Sequence, residues 1–491
     1  MQPTNLLFIL SDQHNRDSMG CYGHPLVQTP HLDTLAERGV RFQTAYTNCP
    51  ICVPARASLA TGQYVHQIGY WDNAFPYEGR VRSWGHRLLE AGHRCDSIGK
   101  LHYRSAEDND GFGHHIVPLN VVDGVGDVMG AIRDELPIRT GARDGVLGAG
   151  PGHSRYLDYD VEIAQQTCRW LTERSREHKN YAQAKPWVLF VGFVCPHPPY
   201  IAPPELYDLY PLEEIPLPLQ NRPDERPQHP AFERFRHVMQ WQQPFTDDEV
   251  RRMIAAYYGC CTHLDRQIGT VIRALEQTGQ AETTRIIYTS DHGESMGRRG
   301  LWGKFTVYEE SAAVPFIVAG PDLPKGAVRN DPISLVDCYP TILEAVGLEL
   351  TDEERTRLPG SSLWPIAQGE PSVRPVFCEY HAVGSATACY LLREGRYKYV
   401  HYVGEPPQLF DIQADPDETN DLATDGKHEA IVAELEAKFR DLLDPEAVDA
   451  QAKADQRALV ERHGGREAVF RRGSFTNSPV PGETPQFHPG A

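Results

Sequence analysis

Residues 6–10, Leu-Leu-Phe-Ile-Leu, form an unbroken apolar run that ends in the polar cluster Ser11-Asp12-Gln13-His14-Asn15. A run without alternation reads as a strand covered on both faces, and a polar cluster at its end marks where that strand opens onto a site. Runs at 187–193, 285–289 and 315–319 share this texture. Between them, 30–39, 159–174 and 247–278 carry helical periodicity, the first closed by Gly39. Strands alternating with helices predict an α/β fold, with a mostly parallel central sheet flanked by helices. Beyond about 371 the pattern changes to short strands at 376–380, 388–393 and 397–402, followed by a helix near 428–443. That predicts a smaller C-terminal α+β subdomain carrying an antiparallel sheet. The expected division is a catalytic α/β domain over 1–370, the subdomain over 371–445 and a polar tail over 446–491. Such a tail is expected to lack a core of its own, and to be mobile or docked on a neighbouring subunit of a homo-oligomer, a dimer or tetramer.

Composition narrows the function. With 48 basic and 67 acidic residues among 491, the net charge is 48 − 67 = −19. Nucleic acid or an anionic membrane would need a basic face, so neither is an expected partner. The same acidity at first disfavours an anionic substrate. Residues 1–5 lack a basic leader and the run 6–10 is too short for a signal segment or a membrane span, so a cytoplasmic protein is expected. The 11 cysteines are scattered and odd in number, which suggests mostly buried, reduced thiols. Only Cys49 and Cys52 stand at CxxC spacing; no clear buried strand precedes them, as a redox motif requires, and no second ligand pair accompanies them, as zinc would.

Three segments carry chemistry. Asp12-Gln13 follows the first predicted strand, and Ser290-Asp291-His292-Gly293 follows the strand at 285–289. Acidic groups at the C-terminal ends of two strands of one parallel sheet can converge on one edge. Two carboxylates, an amide oxygen and an imidazole suit a hard divalent cation. Single loop aspartates are common and mean little; the pair means more. The third segment runs from Cys52-Val53-Pro54-Ala55-Arg56 to Leu59-Ala60-Thr61-Gly62. It predicts a helix with Pro54 in its first turn and Gly62 as its stop. Cys52 then sits at a helix N-terminus, which favours negative charge, with Arg56 one turn along to reach the same anion.

These residues resemble the sulfatase family. Cys-Val-Pro-Ala-Arg with Leu-Ala-Thr-Gly looks like the signature whose cysteine is oxidised after translation to formylglycine. Asp12-Gln13, Gly99-Lys100-Leu101-His102, Pro196-His197-Pro198 and Ser290-Asp291-His292-Gly293 with Lys304 match further site motifs in the same order. Lys398-Tyr399-Val400-His401 and Gln408-Leu409-Phe410-Asp411 resemble the family's C-terminal subdomain. The resemblance implies an alkaline-phosphatase-like fold, one divalent cation (Ca2+, with Mn2+ or Mg2+ as alternatives) and hydrolysis of a small-molecule sulfate ester. It also implies a formylglycine-generating maturation enzyme as partner. Asp12, Gln13, Asp291, His292 and an oxygen on residue 52 would be the metal ligands. Arg56 would orient the modified residue, Lys100 and Lys304 would neutralise the transferring group, and His102 and His197 would move protons, with Lys100, His197 and Lys304 also binding substrate.

Gln13 and His292 depart from the many sulfatases that place Asp and Asn there, and resemble the phosphonate monoester hydrolase and choline-sulfatase branches. Lys100 and His102 lean towards the sulfatase side; the tail at 480–482 does not look like a choline-sulfatase ending. Gly293-Glu294-Ser295-Met296-Gly297 mimics a serine-hydrolase elbow, but Arg298-Arg299-Gly300 is a poor helix start, so Ser295 is expected to be a bystander. Three readings result: a sulfatase, a phosphonate monoester or phosphodiester hydrolase on the same scaffold, and a non-catalytic oxyanion binder with unmodified Cys52. Net charge does not decide among them, because surface charge is screened beyond about 8–10 Å while the pocket gathers its own cations.

Overall fold

The computed structural model describes residues 2–178 and 185–488; the last three residues of the expected tail lie outside it. Its centre is an eight-stranded sheet in the order 327–329, 39–42, 316–319, 284–290, 5–12, 188–196, 95–100, 114–119. All strands run parallel except Phe316–Ala319, which pairs antiparallel with both neighbours. The four predicted runs are all strands, and Asn5–Asp12 and Val188–Pro196 are buried along their whole length. The helices Arg155–His178 and Asp247–Gln277 pack beside each other on one face, their apolar sides covering Leu7, Ile9, Leu189 and Val191. Ala57, Leu59, Ala60, Ile342 and Leu343 cover Leu6, Phe8, Leu10 and Phe190 on the other face.

Val376–Tyr380, Cys389–Glu394 and Tyr397–Tyr402 form the expected antiparallel sheet, with Leu435 and Phe439 of the helix Glu429–Leu442 packed on it. A fourth strand, Glu405–Asp411, was not foreseen. It contains Pro406 and Pro407, which argue against a strand in sequence but are tolerated at a sheet edge, where no ladder N–H is missed.

The stretch from 446 is not a structureless tail. It forms the helices Pro445–Arg462 and Gly465–Arg472, and Leu459, Val460 and Val469 pack against Val128, Met129 and Ile132 of the same chain. Its polar composition misled because part of its anchorage is polar. Buried Gln456 and Asp449 accept from the Arg133 guanidinium at 3.1 and 3.2 Å. Beyond these helices the chain doubles back, with Ser474 and His488 exchanging backbone hydrogen bonds at 2.9 and 2.7 Å. Among the described residues, no helix is long and apolar enough to cross a membrane.

Candidate active site

Parallel registration builds the site. Ser11 lies opposite Ser290, so Asp12 and Asp291 leave adjacent strands side by side. On the other side of the first strand, Asp12 lies opposite Pro196, and Gly99 pairs with Gly192, which brings Lys100 and His197 to the same edge. The helix Cys52–Thr61 enters this edge by its N-terminus and stops at Gly62, whose φ of +67° is left-handed as expected of a C-cap glycine. All ten of its residues are buried.

Ligand atoms of Asp12, Cys52, Asp291 and His292 lie within 4.8 Å of one another. His292 Nε2 is 3.2 Å from Cys52 Sγ, 3.6 Å from Asp291 Oδ1 and 3.8 Å from Asp12 Oδ1. Its Nδ1 faces the Gly293 carbonyl at 3.1 Å, which leaves Nε2 free as the ligand nitrogen when Nδ1 carries the proton. Burial is the main influence lowering the His292 pKa, which keeps the imidazole neutral, the form a metal requires. Gln13 has a left-handed φ of +68°, and its Oε1 accepts from Lys304 Nζ at 2.7 Å. Two carboxylates, an amide oxygen and a neutral imidazole fit a divalent cation.

Arg56 is placed differently from expectation. It was expected to reach an anion at Cys52; its three hydrogen bonds run instead to Asp291 Oδ2 at 2.8 Å, Asp12 Oδ2 at 3.0 Å and the Lys100 carbonyl at 2.8 Å. Only 2 % exposed, it holds the two carboxylates and the Lys100 carbonyl.

Lys100 Nζ lies 2.7 Å from Asp12 Oδ2, and Lys304 Nζ reaches Cys52 Sγ at 3.3 Å. Burial alone would raise the Asp12 carboxyl, but the charge of Lys100 first, with those of Arg56 and Lys304, holds it well below the usual carboxylate range. Lys304 is pulled the other way: burial disfavours its charge, yet Cys52, Asp12 and Asp291 raise its pKa.

The helix N-terminus does not make Cys52 a thiolate. Burial, and then the Asp12 charge, outweigh the two lysines and push the thiol up to about 11. His102 and His197 are both driven well below the ordinary imidazole range, by burial first and then by neighbouring cations. His197 Nδ1 lies 2.7 Å from the Pro198 carbonyl, so that nitrogen donates and Nε2 keeps the lone pair. His102 Nε2 meets the Ser478 hydroxyl at 2.8 Å, while its buried Nδ1 has no partner. Gln13, Cys52, Lys100, His102, His197 and Lys304 all line one cleft, with Trp241, Trp302, Phe305 and Met239 forming an apolar wall.

Sequence reasoning missed three contributors. Glu294 accepts from Tyr200 OH at 2.6 Å and from the Gly303 and Met296 amides at 2.7 and 2.9 Å, and it also holds the Gln13 amide. Its place three residues after Asp291 was the available signal, obscured by the serine-elbow pattern. Ser295 itself makes no side-chain hydrogen bond and is buried. Tyr200 and Ser478 carried no signal, since only folding brings them to the strand ends. All 11 cysteines, including the CxxC pair, are free thiols.

The model of the sulfatase family matches residues 4–348, and that of the N-sulphoglucosamine sulphohydrolase C-terminal region matches 297–444. The chain belongs to the sulfatase family, the sulfuric ester hydrolases. It is 33% identical over 468 residues to the choline-sulfatase of Rhizobium meliloti (strain 1021), covering 92% of this chain and 89% of the relative. Human arylsulfatase K is 29% identical over 471 residues, covering 91% and 83%. Among solved structures, the phosphonate monoester hydrolase of Silicibacter pomeroyi superposes with a TM-score of 0.69 at 27% identity, covering 89% of this chain and 94% of that one. Both branches expected from Gln13 and His292 are thus among its relatives.

Proposed function

We propose that this protein hydrolyses the sulfate ester of a small molecule, with residue 52, converted from cysteine to formylglycine by a maturation enzyme, as the nucleophile. One divalent cation, calcium by donor chemistry, would be held by Asp12, Gln13, Asp291, His292 and the residue-52 side chain. The observation that carries the reading is the convergence of Asp12, Cys52, Asp291 and His292 within 4.8 Å, flanked by the amines of Lys100 and Lys304. An oxyanion binder needs the two lysines but not a buried nucleophile position against paired carboxylates.

A bound cation supplies Lewis acidity and lowers the pKa of an oxygen on residue 52. Lys304, between Gln13 and residue 52, and Lys100, beside Asp12, neutralise charge that develops on the sulfuryl oxygens. His197, neutral with its lone pair on Nε2, takes a proton. His102, with Nε2 accepting from Ser478, presents Nδ1–H to an oxygen of the substrate. Arg56 acts on Asp12 and Asp291 rather than on substrate, as a positioning residue.

The phosphonate monoester hydrolase relative supports a second reading, because a site built for one tetrahedral anion accepts another. Comparing kcat/KM for an aryl sulfate and an aryl phosphonate monoester separates them. Sulfate is expected to be faster; a faster phosphonate overturns the assignment.

A further inference from the structure

A second group of metal-binding side chains lies behind the strand edge. Ligand atoms of Asp160, Cys195 and His263 fall within 4.8 Å of one another, and the residues are 0 %, 2 % and 7 % exposed. They come from three elements: the helix Arg155–His178, the end of the strand Val188–Pro196 and the helix Asp247–Gln277. Cys260, one turn before His263 on the same helix face, places its thiol against that of Cys195. Its remaining contact is a weak one to the Ile201 carbonyl at 3.4 Å.

Two features of this group need explanation. Asp160 is a fully buried carboxylate with no ion pair among the described residues; it accepts the Val194 and Cys195 amides, at 2.8 and 3.0 Å, and the Cys195 thiol. His263 Nε2 is buried and has no hydrogen-bond partner. A buried charge and an orphaned imidazole nitrogen both cost free energy unless paired or coordinated, and one cation satisfies both. Thiolate, imidazole and carboxylate donors select a borderline ion such as zinc rather than calcium.

We infer that Asp160, Cys195 and His263 form a structural zinc site distinct from the catalytic cation site, with Cys260, whose thiol abuts that of Cys195 but lies outside the 4.8 Å group, moving in to close the fourth position. Zinc binding expels the Cys195 and Cys260 thiol protons to solvent and leaves two S–Zn bonds. The site joins two helices to the strand end two residues before His197, so its work is to fix the turn that presents that imidazole. A scan for zinc spacing in the sequence misses it, because its ligands are spread over more than 100 positions.

The test uses full-length Cys52→Ala protein, so that residue 52 offers no thiolate, loaded with cobalt(II) alone as a spectroscopic substitute for zinc. A thiolate-to-cobalt charge-transfer band is expected. It is lost in the added variants Cys195→Ser and His263→Gln, and zinc displaces it. Zinc added alone should raise Tm in the Cys52→Ala protein, and the rise should shrink when Cys195→Ser is added, because Asp12, Asp291 and His292 are the same in both proteins. Absence of both the band and the zinc-dependent Tm shift in folded Cys52→Ala protein would overturn the inference, and that result does not depend on whether the variants fold. A band that survives both ligand substitutions would overturn it too.

Discussion

Arg56 and Asp291 form a buried ion pair, Nε to Oδ2 at 2.8 Å, and the same guanidinium reaches Asp12 at 3.0 Å. One planar cation therefore sets the spacing of the two carboxylates on which the site depends. Arg56→Ala leaves both carboxylates undercompensated in the core. The expected loss is about 3–5 kcal/mol of stability and about 10–100-fold in metal affinity. Arg56→Lys, a point charge that cannot span both acids, should fall between. Urea unfolding and calorimetric metal titration measure the two effects, and unchanged affinity in Arg56→Ala would remove the positioning role.

Lys304 touches both Gln13 and Cys52, which under the proposed mechanism sets its amine where sulfuryl charge would develop. Lys304→Ala is expected to lower kcat on an aryl sulfate by about 10²–10³-fold, the cost of removing one electrostatic stabiliser of the transition state. Asp291→Ala, and chelation of the wild type, should abolish turnover, with activity restored to the wild type alone by returning the cation. Initial rates read all three.

Ser478 is 376 residues from His102 in sequence and 2.8 Å from it in space. Ser478→Ala strands a buried imidazole nitrogen and frees the ring. About 1 kcal/mol is at stake, roughly fivefold in kcat/KM. Steady-state kinetics with the far-ultraviolet spectrum as a folding control checks this, and an unchanged kcat/KM would show that the tail does not orient His102.

Glu379 ties the C-terminal sheet to the α/β core. It accepts from the His66 amide and imidazole at 3.0 Å each and from His381 at 2.8 Å. Burial would raise its carboxyl, but the His66 charge and these hydrogen bonds hold it at about 2, against an ordinary 4.5. A depressed carboxyl contributes stability that is present above its unfolded value and lost as pH falls towards the folded one. His66, whose pKa the pair raises despite burial, contributes in the opposite sense, below its ordinary range. The penalty of Glu379→Gln should therefore be greatest from about pH 4.5 up to the titration of His66 and shrink on either side. Urea midpoints against pH measure it, and a penalty independent of pH would contradict the assignment.

What the sequence disclosed follows from physical cause. Strands 5–12 and 188–196 were legible because both faces are covered and the stretches 6–10 and 188–196 are apolar throughout. Cys95–Lys100 was not, since its Asp96, Ser97 and Lys100 are buried by pairing, as when Trp170 Nε1 donates to Asp96 at 2.8 Å. Asp12, Asp291 and Cys52 could be found because each stands at the end of a recognisable element. The partners of Arg56 could not, because they depend on strand register. The helices after 445 were hidden for the same reason as the Cys95 strand: buried Gln456 and Asp449 read as surface.

The central claim is that residue 52 is the site of conversion and of attack. Peptide mass spectrometry across residue 52, on protein made with a formylglycine-generating enzyme, tests it most directly. The account predicts a peptide in which the CH2–SH side chain has become an aldehyde or its hydrate, in a fraction that rises in step with aryl sulfatase activity. Full turnover from protein whose residue 52 remains a cysteine thiol would contradict it.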